Sequence, residues 1–85
     1  MSTPLKAAFE QASQDVQNLE ERPSIENLLK LYALFKQASE GDAQGERPGM
    51  MDMKGRAKFD AWAGLQGMGA EEAMQAYVDL VESLK

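Results

Sequence analysis

Residues 24–38 read Ser24-Ile25-Glu26-Asn27-Leu28-Leu29-Lys30-Leu31-Tyr32-Ala33-Leu34-Phe35-Lys36-Gln37-Ala38. Ser24 is a capping residue, since its hydroxyl accepts a hydrogen bond from an orphan N–H of the following first turn. Behind it Ile25, Leu28, Leu29, Tyr32, Phe35 and Ala38 recur at intervals of three and four, the spacing of one helical face. A strand needs strict alternation, and no stretch of the chain alternates in that way. The stretch therefore predicts a helix that turns those six residues inward.

The same period extends in both directions. Upstream, Leu5, Phe9, Ala12, Val16 and Leu19 predict a helix opened by Thr3-Pro4 and closed at Glu21-Arg22-Pro23, because the residue before a proline is pushed out of the helical region. Downstream, Glu40 to Gly49 holds three glycines, one proline and four charged residues, and predicts a loop that is long for so small a protein. A third helix follows from about Asp52 to Leu65, with Ala57, Ala61, Trp62 and Leu65 inward. Gly55 is expected to weaken its first turn by about 1 kcal/mol relative to alanine. Gly67-Met68-Gly69 breaks the pattern, and a fourth helix starts near Ala70 with Met74, Tyr77, Val78, Val81 and Leu84 on its stripe. Glu71 and Glu72 fall in its first turn, where the helix dipole favours acids. There is no internal repeat or sustained heptad. Four helices in 85 residues predict one all-α domain over 1–85, a four-helix bundle.

Composition excludes several classes of function. Fourteen acids against nine Lys and Arg give a net charge of −5, the wrong sign for a general nucleic-acid binder. There is no cysteine, hence no disulfide, thiolate metal site or cysteine nucleophile, and no histidine for acid–base work near neutral pH. Ser13, Ser24, Ser39 and Ser83 lack a base to activate them, so an enzyme such as a thioesterase is not expected, and neither is a metal or cofactor. Met1-Ser2-Thr3-Pro4-Leu5-Lys6 carries no secretory leader pattern, and no apolar run reaches the roughly 18–20 residues that span a bilayer. The expectation is a cytoplasmic monomer without stable membrane insertion.

Six of the nine cations (Lys30, Lys36, Arg47, Lys54, Arg56, Lys58) lie between residues 30 and 58. Tyr32 and Lys36 are four apart on the second helix, and Lys54 and Lys58 four apart on the third, so each pair shares a face. Two such faces can bring one aromatic ring and three ammonium groups to one spot, the outline of a nucleotide-like polyphosphate site. Spacing alone leaves the plainer alternative open: lysines on a solvated helix face, with Tyr32, Tyr77 and Trp62 as core. Met50, Met51 and Met53 either line an adaptable apolar groove or fill irregular core space.

Five stretches carry a resemblance. Tyr32-Ala33-Leu34-Phe35-Lys36-Gln37-Ala38 is followed by Gly41-Asp42, Glu46-Arg47-Pro48-Gly49-Met50 and Lys54-Gly55-Arg56-Ala57-Lys58-Phe59-Asp60-Ala61-Trp62. With Ala73-Met74-Gln75-Ala76-Tyr77-Val78, these resemble the acyl-CoA-binding protein family over nearly the whole chain. The resemblance implies an up-down-down-up bundle whose bowl holds long-chain acyl-CoA. It implies that Tyr32 stacks on the adenine, that Lys36, Lys54 and Lys58 meet the phosphates, and that Tyr77 completes the nucleotide end. Ala33, Leu34 and Phe35 are implied to lie between those contacts. The acyl chain is implied to run near Phe9, Ala12, Leu28, Leu29 and Met53. The chain departs from the common pattern at Gln17, where family members often carry lysine, and at Met53, Arg56, Phe59 and Gly69.

The function so implied is reversible carriage of medium- or long-chain acyl-CoA without catalysis. A helical protein-interaction module with an apolar groove is the alternative from another class. It leaves the juxtaposition of Tyr32 with the three lysines without a role.

Overall fold

The computed structural model describes residues 3–85, so the reading of Met1 and Ser2 lies outside the described residues. Four helices follow in order: α1 (Pro4–Asp15), α2 (Ile25–Glu40), α3 (Met53–Ala63) and α4 (Ala70–Leu84), with no strand among the described residues. The expected caps are in place. The Thr3 hydroxyl accepts from the Lys6 N–H at 3.0 Å, and the Ser24 hydroxyl from the Asn27 N–H at 3.1 Å. The Asp52 carboxylate does the same for α3, accepting from the Gly55 N–H at 2.9 Å. A Cβ at position 55 would collide with that carboxylate, so Gly55 makes room for the cap rather than merely weakening the turn.

Helix directions follow from the cross-helix contacts. Lys58 of α3 reaches the Tyr32 ring of α2, and one turn further along both helices Lys36 reaches the Trp62 ring. Both pairings step forward together, so α2 and α3 run parallel. Phe9 meets Tyr77, and Asp15 at the end of α1 meets Lys85 beyond the end of α4 at 3.0 Å, so α1 and α4 also run parallel. Phe35 meets Tyr77, whereas Gln37 reaches back to Met68 before α4 begins, which makes α2 and α4 antiparallel. The topology is up-down-down-up. It explains the long loop: the chain must return along the bundle between the parallel α2 and α3. The connection over residues 41–52 can span up to about 40 Å, ample for helices of about 16–24 Å.

The helices pack in the order α3–α2–α4–α1, and α3 rests on α2. The molecule is thin, 38 × 30 × 16 Å, an open bundle with accessible faces along α2. The core lies between α1, α2 and α4: Phe9, Ala12, Leu31, Leu34, Ala38, Ala73, Tyr77 and Val81. No residue of α3 is buried.

Two expectations fail. The first helix ends at Asp15, well short of Pro23, and continues as a 3₁₀ turn over Val16–Asn18. The Asn18 side chain donates to the Gln14 carbonyl at 3.2 Å, taking the acceptor that the next helical N–H would use. The inward face of α2 is also rotated from the expected one. Leu31, Ala33, Leu34, Gln37 and Ala38 are buried, whereas Ile25 is 76% and Phe35 42% exposed. Apolar residues cover most of α2, so period counting cannot decide which of its sides α4 covers.

One polar knot locks the ends of this arrangement. Gln37 is 1% exposed, and its Nε2 donates to the Asp42 carboxylate at 2.8 Å and to the Met68 carbonyl at 2.9 Å. The same Asp42 oxygen accepts from the Gly67 N–H at 2.8 Å. Gly41 and Gly67 flank the knot at φ of +82° and +92°, a region that favours glycine. The end of α2 is thereby tied to the α3–α4 connection. Those two N–H donors, the Gly67 amide first, hold the Asp42 carboxyl below its ordinary pKa of 3.8.

Candidate functional site

Tyr32, Phe35, Lys36 and Ser39 stand at i, i+3, i+4 and i+7 on α2 and so share one face. That face is not covered by α4, and α3 borders it on one side. Two cations approach the Tyr32 ring, the Lys58 ammonium 5.4 Å and the Lys36 ammonium 5.9 Å from its centroid. The Lys36 ammonium is also 5.5 Å from the Trp62 ring. Trp62 is fixed in turn, because its Nε1–H donates to the Gly41 carbonyl at 2.8 Å. Two rings and two ammonium groups thus meet on one partly exposed surface. Cations over ring faces are held by the ring quadrupole. Among the described residues Lys58 keeps its N–H groups free for an anion, whereas Lys36 already donates one to Glu40.

Beyond Phe35, α2 faces α1 across a pocket of about 420 Å³ lined by Lys6, Phe9, Glu10, Ser13, Phe35, Ala38, Ser39 and Met74. The Phe9 and Phe35 rings in its lining stack at 5.4 Å, and the buried Tyr77 ring meets Phe9 edge-on at 5.1 Å.

The remaining site candidates fall in different places. Lys54 is exposed one turn before Lys58 on α3, and neither lysine has an ion-pair partner among the described residues. Leu28, one turn before Tyr32, and Leu29 are half-buried, and Met53 is exposed at the start of α3. Ala12 is core, as is Phe9 apart from its edge on the pocket. Tyr77 is core as well, and burial pushes its phenol pKa up. Ala33 and Leu34 are not brought to the cation–ring cluster. They line a separate, almost wholly apolar pocket of about 320 Å³ with Lys30, Ala61 and Leu65. A rotation of about 100° per residue turns them away from Tyr32 and Lys36, although they are adjacent in sequence.

Arg47 and Arg56 stand outside the cation–ring cluster and bind the loop instead. Arg47 forms a two-pronged ion pair with Asp60 at 2.9 and 2.6 Å, and Arg56 donates to the Pro48 carbonyl at 2.9 Å. Two neighbours of the cluster escaped the sequence reading. Trp62 was expected to be purely structural, but its ring faces Lys36. Glu40 accepts from the Lys36 ammonium at 2.6 Å, and this hydrogen bond raises the Lys36 pKa above its ordinary value. Its signal was visible as the i, i+4 spacing of Lys36 and Glu40. Among the described residues, no group of three or more His, Cys, Asp and Glu is arranged to hold a metal ion.

Comparison with known proteins gives one consistent picture. The sequence model of a family described as "Acyl CoA binding protein" matches residues 6–81. The chain is 54% identical over 81 residues to the acyl-CoA-binding protein homolog of Manduca sexta, covering 94% of this chain and 90% of the relative. It is 48% identical over 77 residues to acyl-CoA-binding protein homolog 1 of Caenorhabditis elegans, covering 91% and 90% of the two chains. Among solved structures it resembles acyl-CoA-binding protein 2 of Oryza sativa, with a TM-score of 0.89, 39% identity and coverage of 94% and 89%. It also resembles the ACBP of Moniliophthora perniciosa, with a TM-score of 0.88, 40% identity and coverage of 99% and 80%.

Proposed function

The chain belongs to the acyl-CoA-binding protein family, and from that premise we propose that it binds fatty acyl-CoA thioesters reversibly and carries them without chemistry. The observation that supports this best is the convergence of the Lys36 and Lys58 ammonium groups on the Tyr32 ring. The ring offers a stacking face for adenine, and the ammonium groups are point charges suited to phosphate. Lys54 extends the cationic edge along α3. The Phe9 and Phe35 rings in the pocket against α1, with the half-buried Leu28 and Leu29 further up α2, offer apolar surface for the fatty chain.

Charge-assisted contacts contribute about 1.5–3 kcal/mol each, and each buried methylene about 0.8 kcal/mol. The nucleotide end then selects the class of ligand, and the chain separates tight from weak binding. Affinity is expected to rise steeply from free CoA through octanoyl-CoA to palmitoyl-CoA in a calorimetric series. Equal affinity across that series would overturn this division of labour. Free palmitate, which lacks the nucleotide, is expected to bind negligibly.

Catalysis has no part in the proposal, since the chain carries neither His nor Cys to activate a serine or a water. No metal or cofactor is assigned to it. No helix among the described residues is long and apolar enough to cross a membrane. We place the protein in the cytoplasm as a monomer, and its net charge of −5 argues against nucleic acid as a partner.

A further inference from the structure

Glu40 ends α2, and its carboxylate is 2.6 Å from the Lys36 ammonium. Its side chain makes no other hydrogen bond or ion pair among the described residues. Helix stability accounts for little of the residue's role, because an acid in a last turn opposes the helix dipole and the i, i+4 pair stands in the weaker Lys-to-Glu order. The Tyr32 and Trp62 rings already crowd Lys36, at 5.9 and 5.5 Å from its ammonium, so Glu40 holds a contact that an incoming anion would need. Lys58, whose ammonium also lies over the Tyr32 ring, has no such carboxylate partner among the described residues.

We propose that Glu40 is an internal counterion which a ligand phosphate must displace from Lys36, and that it thereby lowers phosphate-dependent affinity. The inference rests on the acyl-CoA reading and adds a specificity-setting residue to that site. Glu40 is expected to act through Lys36, as a positioning residue, rather than by touching the ligand. Both side chains are open to solvent, at 31% and 53% exposure, so the exchange needs no unfolding.

The test is calorimetric titration of the wild type, Glu40→Gln, Lys36→Ala and the double variant with palmitoyl-CoA and with palmitoyl-pantetheine, which lacks every nucleotide phosphate. Glu40→Gln is expected to tighten palmitoyl-CoA about two- to fivefold, the range of an exposed ion pair. Palmitoyl-pantetheine should be unaffected, and the gain should vanish in the Lys36→Ala background. Unchanged or weaker binding of palmitoyl-CoA by Glu40→Gln would overturn the inference. So would an equal gain for both ligands, or a gain that survives Lys36→Ala. Failure of both the wild type and Glu40→Gln to bind palmitoyl-CoA would instead overturn the carrier reading, and this inference with it.

Discussion

A Lys36→Ala, Lys58→Ala double variant is expected to bind palmitoyl-CoA at least about a hundredfold more weakly than the wild type. Each ammonium supplies a charge-assisted contact of about 1.5 kcal/mol or more, and about 3 kcal/mol corresponds to two decades in Kd. The loss should come without loss of fold. Neither lysine belongs to the core, and substitutions at such positions usually change stability by about 0.5 kcal/mol or less. The two together should therefore move the melting temperature by no more than about 8 °C. An unchanged Kd in a folded double variant would remove the cation pair from the site. Truncating one lysine alone is expected to cost less than half of the total, because both ammonium groups flank one ring and act on one ligand.

Gln37→Ala is expected to be the most damaging single substitution to stability at a polar position. It removes a hydrogen bond to a carboxylate and one to a backbone carbonyl, and it leaves a cavity where the side chain was 1% exposed. These losses add to about 3–5 kcal/mol, against about 4–13 kcal/mol for a domain of this size. A fall in melting temperature of about 12 °C or more follows. A fall of less than about 4 °C would show that the knot is incidental. The knot also sets a pH response. Because the Asp42 pKa is depressed in the folded state, its contribution is complete above the ordinary value of 3.8 and is lost as pH falls through the folded value. The acid limb of the stability profile should therefore be shallower in Asp42→Asn than in the wild type.

Much of this was legible in the residues. Thr3, Ser24 and Asp52 mark helix starts because a cap is a local hydrogen bond, written within three residues of chain. Tyr32, Lys36 and Lys58 were legible as a candidate site because two lie on one helix face, and the motifs that contain all three resemble a known family. What spacing could not supply was rotation. On α2 the residues of both sides are apolar, so Ala33 and Leu34 read as part of the site although their side chains face another pocket. Long-range polar contacts were equally hidden. Nothing local to Gln37 announces that it bridges Asp42 and Met68, and nothing local to Trp62 announces Gly41 as its acceptor. The long loop was legible from its composition. Its length has a topological cause, since two parallel helices need a return path between them.

The central claim is that the cation–ring cluster of α2 and α3 receives the nucleotide end of a fatty acyl-CoA. NMR side-chain signals tracked during a palmitoyl-CoA titration test it most directly. The account predicts that the largest changes fall on the Tyr32 ring, the ε-methylenes of Lys36 and Lys58, and the Trp62 indole N–H, with the Leu34 and Leu65 methyls nearly still. Changes concentrated on Leu34 and Leu65, with Tyr32 and Lys58 unmoved, would contradict it and place the ligand on the opposite face of the helix pair.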